Sequence, residues 1–428
     1  KGTGMASLAS ILHDMGEEVM GSDLEKHFFP EDQLVARGIT MLPFDKNNIK
    51  DNMTVIVGNA FADDFEEVAA ARNNPTCTVY RYHVFLGKLL ESYNSICISG
   101  SHGKTTTTGM MSAMLSHFGP CGYLIGDGTG HVEDNSRYFV LEACEYRRHF
   151  LAYKPKYAVI TNVEIDHVDY YKSEEDYGHA YEEFAQGVSD KIIAFGDDPR
   201  ARKLHLPQHT VWYGVEDGND IQAKNIVETP TWMEFDVYAY GEFVRRFHLP
   251  FVGRHLLWNA LSVITLGLLE GLQPEGIEQG LAGFTGVKRR FVVEEYHGNI
   301  YIDDYAHHPT EVSVTLDCAK LRYPGRKIVA VFKPHRVSRV QYFVNEFAEA
   351  LKKADVVGVC DFTSIDDFEP GIDIDITYLT DRIPNCHIFH ETDEEAAMLA
   401  SEEPCVYVFM SSKDIYPFKE KVKACQSH

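Results

Sequence analysis

The chain has 428 residues, 44% hydrophobic and 24% charged, which is the balance of a globular protein with more core than one domain usually holds. No apolar run reaches the roughly 18 residues of a membrane span, and a formal net charge of −24 excludes a general nucleic-acid binder, which neutralises phosphates with a basic surface. The nine cysteines form no C-x-x-C pair and no Cys/His zinc spacing, predicting free thiols in a reducing compartment, the cytoplasm by default.

In chain order, "KGTGMASLASILHDMGEEVMGSD" reads as a glycine turn, a helix with Met5, Leu8, Ile11, Leu12 and Met15 on one face, and a strand at 18–20. "NMTVIVGNAF" adds a strand ending at Gly58, and "TCTVYRYHVFLGKLL" passes from strand to helix, so residues 1–93 are expected to form a Rossmann-like N-terminal domain. Residues 94–287 are expected to form a central P-loop domain with a mostly parallel sheet, its strands at 96–99, 139–141, 157–161 and 191–195. Within it, "WMEFDVYAYGEFVRRFHLPF" alternates as an antiparallel hairpin, and "HLLWNALSVITLGLLEG" reads as an apolar helix ended by Gly271. Residues 288–428, with strands at 300–302 and 328–332 and in "ADVVGVC" and "CVYVFM", predict a C-terminal Rossmann-like α/β domain.

The stretch "SICISGSHGKTTTTGMMSAML" carries the strongest chemical signal. A strand, a loop with Gly100, Ser101, His102 and Gly103, then Lys104, Thr105 and Thr106 opening a helix make a phosphate cradle. Free N–H groups at the helix start favour an anion, Lys104 adds a cation, and Thr105 offers a hydroxyl to Mg²⁺. The usual pattern has a further glycine where this chain has Ile98. ATP or GTP is the expected ligand. Glu142 ends the strand in "YFVL", and Asp166, His167 and Asp169 follow "YAVITNVEI"; strand ends are where ligands gather in open parallel sheets, and a carboxylate suits Mg²⁺ better than an imidazole.

Three further groups stand out. The turn with Gly2, Thr3 and Gly4, with Ser22 and Asp23 downstream, matches part of a dinucleotide fingerprint, although Ser7 stands in place of its third glycine. "DDYAHHPTE" sets Asp304, Tyr305 and His307 after a strand, with Pro309 suited to a first helical turn. "KPHRVSR" sets His335, Arg336 and Arg339 after another, where guanidinium forks fit a carboxylate. A bland turn or a solvated helix start is the competing reading of each group alone.

Together "GSHGKTT", "EACEYRRHF", "TNVEIDHVDYY", "GRHLLWNA", "GVKRRF", "DDYAHHPTE" and "PHRVSR" resemble, in order and over essentially the whole chain, the Mur ligases of peptidoglycan synthesis. The resemblance includes the shortened cradle. It implies a bacterial cytoplasmic enzyme with one domain for a UDP-sugar, a central ATPase and a third domain that brings an amino acid. The expected substrates are ATP with Mg²⁺, UDP-N-acetylmuramate and L-alanine. By the same resemblance Gly2, Thr3, Gly4, Ser22 and Asp23 serve the UDP-sugar, and the cradle residues Gly100 to Thr106 hold the ATP phosphates. Thr105, Glu142 and His167 serve the metal, and Asn259 contacts adenine. Arg290, Asp304, Tyr305 and His307 meet ATP from the third domain, and His335, Arg336 and Arg339 recruit the amino acid. Lys104, Glu142, His167 and Arg290 are the expected catalytic set. The chain departs from the family pattern at Leu256, at Lys333 and in "FMSSKDI", where a Gly-Ala-Gly-Asp loop is usual.

That chemistry explains why a nucleotide is needed. A carboxylate resists amine attack because its leaving group is oxide, and phosphorylation turns the leaving group into phosphate. Competing expectations are a nucleotide-dependent switch or scaffold, an NAD-linked oxidoreductase using the N-terminal turn, and a tripeptide-recycling ligase of the same framework.

Overall fold

Ile96, Cys97 and Ile98 are all fully buried, yet they serve different cores. Alternation along the strand Asn94–Ser99 sends Cys97 to one face of a sheet and Ile96 and Ile98 to the other. The strands Tyr138–Glu142, Tyr157–Ile160 and Lys191–Phe195 repeat the division, which is why their sequences read as continuous apolar runs. One face is covered by the helices Lys104–Phe118, Arg254–Leu269 and Pro274–Ala282. The opposite face carries Tyr82–Leu90 and Glu174–Ala185.

The computed structural model describes residues 1–364, 367–400 and 404–426. Its central sheet has ten strands. Across it run Glu242–Leu249, Met233–Ala239, Ile221–Glu228, Thr210–Gly214, Lys191–Phe195, Tyr157–Ile160, Asn94–Ser99, Tyr138–Glu142, Cys121–Leu124 and Gly130–His131. Pairing is parallel from Ile221–Glu228 through Cys121–Leu124, with antiparallel strands at both margins. The chain builds outward on one side of Asn94–Ser99, then returns across it to build on the other. Such a reversal of strand order opens a crevice at the strand carboxyl ends.

The expected hairpin forms between Met233–Ala239 and Glu242–Leu249 and extends the central sheet. The six-stranded C-terminal sheet runs Val292–Tyr296, Asn299–Asp304, Cys405–Met410, Lys327–Phe332, Val356–Cys360, His387–Phe389, parallel except for its first pair. The first segment is less regular than a Rossmann sheet. Its strands form two separate parallel pairs, Met20–Ser22 with Thr40–Leu42 and Thr54–Val57 with Thr78–Arg81. The first of these begins at Met20, where the sequence places a strand's end. The helix Thr3–Asp14 buries Leu8 and Ile11 but leaves Met15 44% exposed. It lies against Gly130–His131, where a side chain at Gly130 would collide with the Ser7 backbone. No helix among the described residues is long and apolar enough to cross a membrane.

Candidate active site at the facing sheet ends

The loop after Ser99 is shaped by two glycines. Gly100 has φ +128° and Gly103 φ +81°, conformations that side chains rarely adopt, and a Cβ on Gly103 would stand 2.7 Å from Asn259 Oδ1. Gly103 caps the helix Lys104–Phe118 without a side-chain bond, leaving the first N–H groups directed at the loop. Met110, Met111, Met114 and Leu115 anchor that helix beneath the sheet.

Lys104 donates to the carbonyls of Gly100 and Ser101 and, at 2.9 Å, to Glu145 Oε2. Glu145 is fully buried and reaches His167 Nε2 at 3.5 Å. Burial alone would push the Glu145 carboxyl up, but Lys104 and His167 hold it down to about 2. The Lys104 ammonium is in turn raised above its ordinary range, because Glu145 outweighs its burial penalty. Beside this pair, burial raises Glu142 against the opposing pull of Lys104, the Thr105 hydroxyl and Arg290. Its Oε2 accepts from Gly126 N at 2.9 Å.

Asn162 braces the loop from the neighbouring strand end, with Oδ1 accepting from His102 N at 3.0 Å. His102 lies between Glu164 Oε2 at 3.0 Å and Glu311 Oε1 at 3.6 Å. Burial opposes its proton, but the two carboxylates win and hold the imidazole up to about 9. Glu311 belongs to the C-terminal unit, in the helix Pro309–Arg322, whose first turn closes as a capping box between His308 and Glu311. Glu311 also receives Arg290 at 3.2 Å. Burial pushes Asp304 up to about 6 in spite of Arg290. The Arg290 guanidinium stands over the Tyr305 ring, 5.1 Å from its centroid.

These contacts bring the carboxyl ends of the two sheets face to face around a cavity of about 770 Å³. His102, Gly103, Thr106 and Asn259 line it from the central unit, Arg290 and Asp304 from the other, with Leu256, Trp258 and Phe195 on an apolar wall. Lys104 and His167, joined through Glu145, and Glu142 with the Thr105 hydroxyl form the adjoining polar group, while Tyr305 packs on Arg290 and His307 meets Glu311. The remaining expected residues stand elsewhere. Gly2, Thr3 and Gly4 open the first helix, Ser22 hydrogen-bonds Glu67 Oε2 and Asp23 meets the Lys1 amine, all outside this cavity.

The arginines of "PHRVSR" are engaged across the domain boundary. Arg339, 5% exposed, donates from Nε and an Nη to Asp166 Oδ1 at 3.1 and 2.9 Å, and Arg336 reaches Asp169 Oδ2 at 2.8 Å. His335 Nδ1 lies 3.0 Å from Ser412 Oγ. In this arrangement the guanidiniums are turned to protein carboxylates.

Sequence reasoning passed over Glu145, Glu164, His308 and Glu311. Glu145 lies in a loop three residues after a strand end, where periodicity gives no signal. Glu311 was legible through its spacing from His308, the capping-box interval.

Family models cover the three segments in turn. Residues 1–94 match the Mur ligase family catalytic domain, 98–267 the Mur ligase middle domain, and 288–409 the Mur ligase glutamate ligase domain. The chain belongs to the Mur ligase family. Its solved relatives include a UDP-N-acetylmuramate–alanine ligase from Thermotoga maritima, 26% identical with TM-score 0.80, covering 100% of this chain and 97% of that one. A murein peptide ligase from Psychrobacter arcticus is 22% identical with TM-score 0.71, covering 100% of this chain and 97% of the other. A MurF ligase from Thermotoga maritima, solved with ADP, is 18% identical with TM-score 0.68 over 89% of this chain and 96% of its own. As a Mur ligase the protein is an ATP-dependent amide-forming ligase of peptidoglycan precursor synthesis.

Proposed function

We propose that this Mur ligase joins L-alanine to the carboxylate of UDP-N-acetylmuramate, with ATP and Mg²⁺, through an acyl phosphate, releasing ADP and phosphate. The observation that carries the reading is the two-sided cavity, with Gly103 and Asn259 on one wall and Arg290 and Asp304 on the other, opening beside the buried Lys104–Glu145 pair. The choice of L-alanine draws on the alanine ligase of Thermotoga maritima, which matches over nearly all of both chains. The substrates assign the enzyme to the bacterial cytoplasm.

In this reading the ATP phosphates lie in the loop Gly100–Thr106 and the base lies on the apolar wall with Asn259. Lys104, permanently charged, exchanges loop carbonyls for phosphate oxygens and steadies charge during γ-phosphoryl transfer. Glu142 and the Thr105 hydroxyl offer the hard oxygen ligands that suit Mg²⁺, with His167 alongside. Bound there, the ion supplies charge neutralisation at the phosphates. Arg290 approaches from the C-terminal unit, so the complete set exists only when the two sheets face each other, and closure keeps water from the activated carboxyl. The UDP-sugar is assigned to Gly2, Thr3, Gly4, Ser22 and Asp23, and the amino acid to the neighbourhood of His335, Arg336 and Arg339. Domain limits of 1–93, 94–287 and 288–428 go with this division of labour.

The test is phosphate release with ATP, Mg²⁺ and UDP-N-acetylmuramate against a panel of amino acids and a muramyl tripeptide. Turnover with L-alanine above all others is expected. Turnover only with the tripeptide would assign the chain to the recycling reaction instead, and ATP hydrolysis indifferent to the UDP-sugar would refute both.

A further inference from the structure

We infer that Arg147 is a substrate-binding residue that grips the muramyl carboxylate of the UDP-sugar and presents it to the phosphate loop. The inference rests on UDP-N-acetylmuramate being the substrate, as proposed above. Arg147 and Arg148 are consecutive residues in the left-handed region, with φ/ψ of 51°/25° and 58°/26°. Residues with a Cβ visit that region rarely, and then singly, because Cβ crowds the following carbonyl. Such strain persists only where the surroundings over-determine it, and it clusters at ligand sites.

The surroundings engage every side chain from Glu145 to His149 except one. Tyr146 donates to Asp169 Oδ2 at 2.9 Å. Arg148 meets Asp176 Oδ1 at 2.7 Å and Glu183 Oε2 at 3.2 Å. The His149 ring stacks on His83 of the N-terminal unit, with centroids 4.4 Å apart, and its Nδ1 lies 3.2 Å from Asn59 Nδ2. Arg147 is exposed, and its guanidinium stands over the Tyr146 ring, 5.4 Å from the centroid, with no hydrogen bond or ion pair among the described residues. The acids beside the loop are already paired, Glu145 with Lys104 and His167, Asp169 with Tyr146 and Arg336. His149 is neutral, pushed down to about 4 by burial, His83 and Arg147. The loop therefore offers one uncompensated positive charge.

Its place selects the ligand. Asp169 joins the loop to Arg336 of the C-terminal unit and His149 joins it to the N-terminal unit, so Arg147 stands where the three units meet. It follows Glu145, the partner of Lys104, by two residues, a span of at most about 7 Å of chain. The UDP-sugar, assigned to the first helix, must bring its carboxylate toward that lysine. Carboxylate and γ-phosphate repel each other while Lys104 serves the phosphates. A guanidinium fork offsets that repulsion and fixes the orientation of the carboxylate.

Calorimetric titration of the full chain with UDP-N-acetylmuramate and with UDP-N-acetylglucosamine, which lacks the carboxylate, tests the inference. Glycine suits the left-handed backbone, so Arg147→Gly is expected to hold or raise the melting temperature while weakening UDP-N-acetylmuramate by roughly 10- to 100-fold. Binding of UDP-N-acetylglucosamine should change little, and Arg147→Lys should recover part of the loss. Unchanged affinity for UDP-N-acetylmuramate in either folded Arg147→Gly or Arg147→Met would overturn the inference. Equal losses for both UDP-sugars would place Arg147 on the diphosphate or sugar and overturn it too, and a melting temperature that falls with the affinity would make Arg147 a structural residue. A parent protein that binds neither UDP-sugar refutes the proposed substrate, and the inference with it; a parent that binds UDP-N-acetylmuramate indifferently to Arg147 refutes the inference alone.

Discussion

The buried pair between Arg339 and Asp166 allows the role of "PHRVSR" to be tested directly. Asp166 is 5% exposed, and the two guanidinium N–H groups converge on one of its oxygens from a different sheet. Burial would raise the Asp166 carboxyl, but Arg339 holds it well below the usual range, so it is charged wherever the enzyme works. Removing one partner of such a pair leaves an uncompensated buried charge and costs about 3–5 kcal/mol. Because the partners come from different units, that cost falls on the facing arrangement of the two sheets rather than on either core. Asp166→Asn and Arg339→Ala are therefore each expected to lower kcat/KM for the amino acid by roughly two to four orders of magnitude, with melting temperatures of the separate cores little changed. The double variant carries no orphaned charge and is expected to be no worse than the poorer single one. Steady-state kinetics on the cycle, varying one substrate at a time, measures the coupling. Additive losses would refute the structural pairing as the reason for the effect. An intact Asp166→Asn enzyme beside an Arg339→Ala enzyme impaired only in KM for L-alanine would show that Arg339 serves the substrate carboxylate instead.

Lys104→Ala is expected to abolish product formation while UDP-sugar binding persists; it also strands the buried Glu145, and Lys104→Ala with Glu145→Ala should recover thermal stability but not turnover. Glu142→Ala should lower the rate and raise the Mg²⁺ requirement, so an unchanged magnesium titration would reduce Glu142 to a bystander. His102 is raised from an ordinary 6.5 to about 9, so its contribution is complete below about pH 6.5 and lost as pH rises through 9. The shift corresponds to roughly 3–4 kcal/mol at most, and His102→Gln protein should show a flatter decline in melting temperature over that window than the parent. Identical pH profiles would mean that the carboxylates of Glu164 and Glu311 do not stabilise the imidazolium.

The central sheet was legible because its buried strands leave continuous apolar runs punctuated by glycine and acids, and the cradle because strand, glycine loop and helix lie consecutively in the chain. The N-terminal unit was less so: its strands are three or four residues long and pair only in twos, too short for periodicity to locate their ends. What the sequence hid at the site is mostly pairing. Asp166 and Arg339 are 173 residues apart and Glu164 and Thr310 are 146 apart, and no local pattern reports which acid a distant arginine or hydroxyl will meet. Arg336 and Arg339, read as forks that fit a carboxylate, meet Asp169 and Asp166 in this arrangement.

The departure at "FMSSKDI" shows how a family pattern can change without loss of the structure it supports. A Gly-rich loop is required where the backbone takes positive φ or where a Cβ would collide, and neither Ser411, Ser412 nor Lys413 has positive φ. The loop meets its neighbours largely through carbonyls: Arg289 donates to the oxygens of Ser411 and Lys413 at 3.1 and 2.8 Å. Side chains absent from glycine add to this, since the Ser411 hydroxyl donates to the Lys333 carbonyl at 2.8 Å and Ser412 meets His335. Lys333, the other departure in this region, pairs with Glu391 and reaches the Asp414 carbonyl at 3.2 Å, so its charge is turned away from the cavity. These side chains thus tie the carboxyl ends of Lys327–Phe332 and Cys405–Met410 to each other, beside the carbonyls that Arg289 grips. Arg289 also stands over the Tyr305 ring, 4.8 Å from its centroid, on the ring that Arg290 meets at 5.1 Å, so the same loop steadies the aromatic ring on which the cavity-lining Arg290 rests.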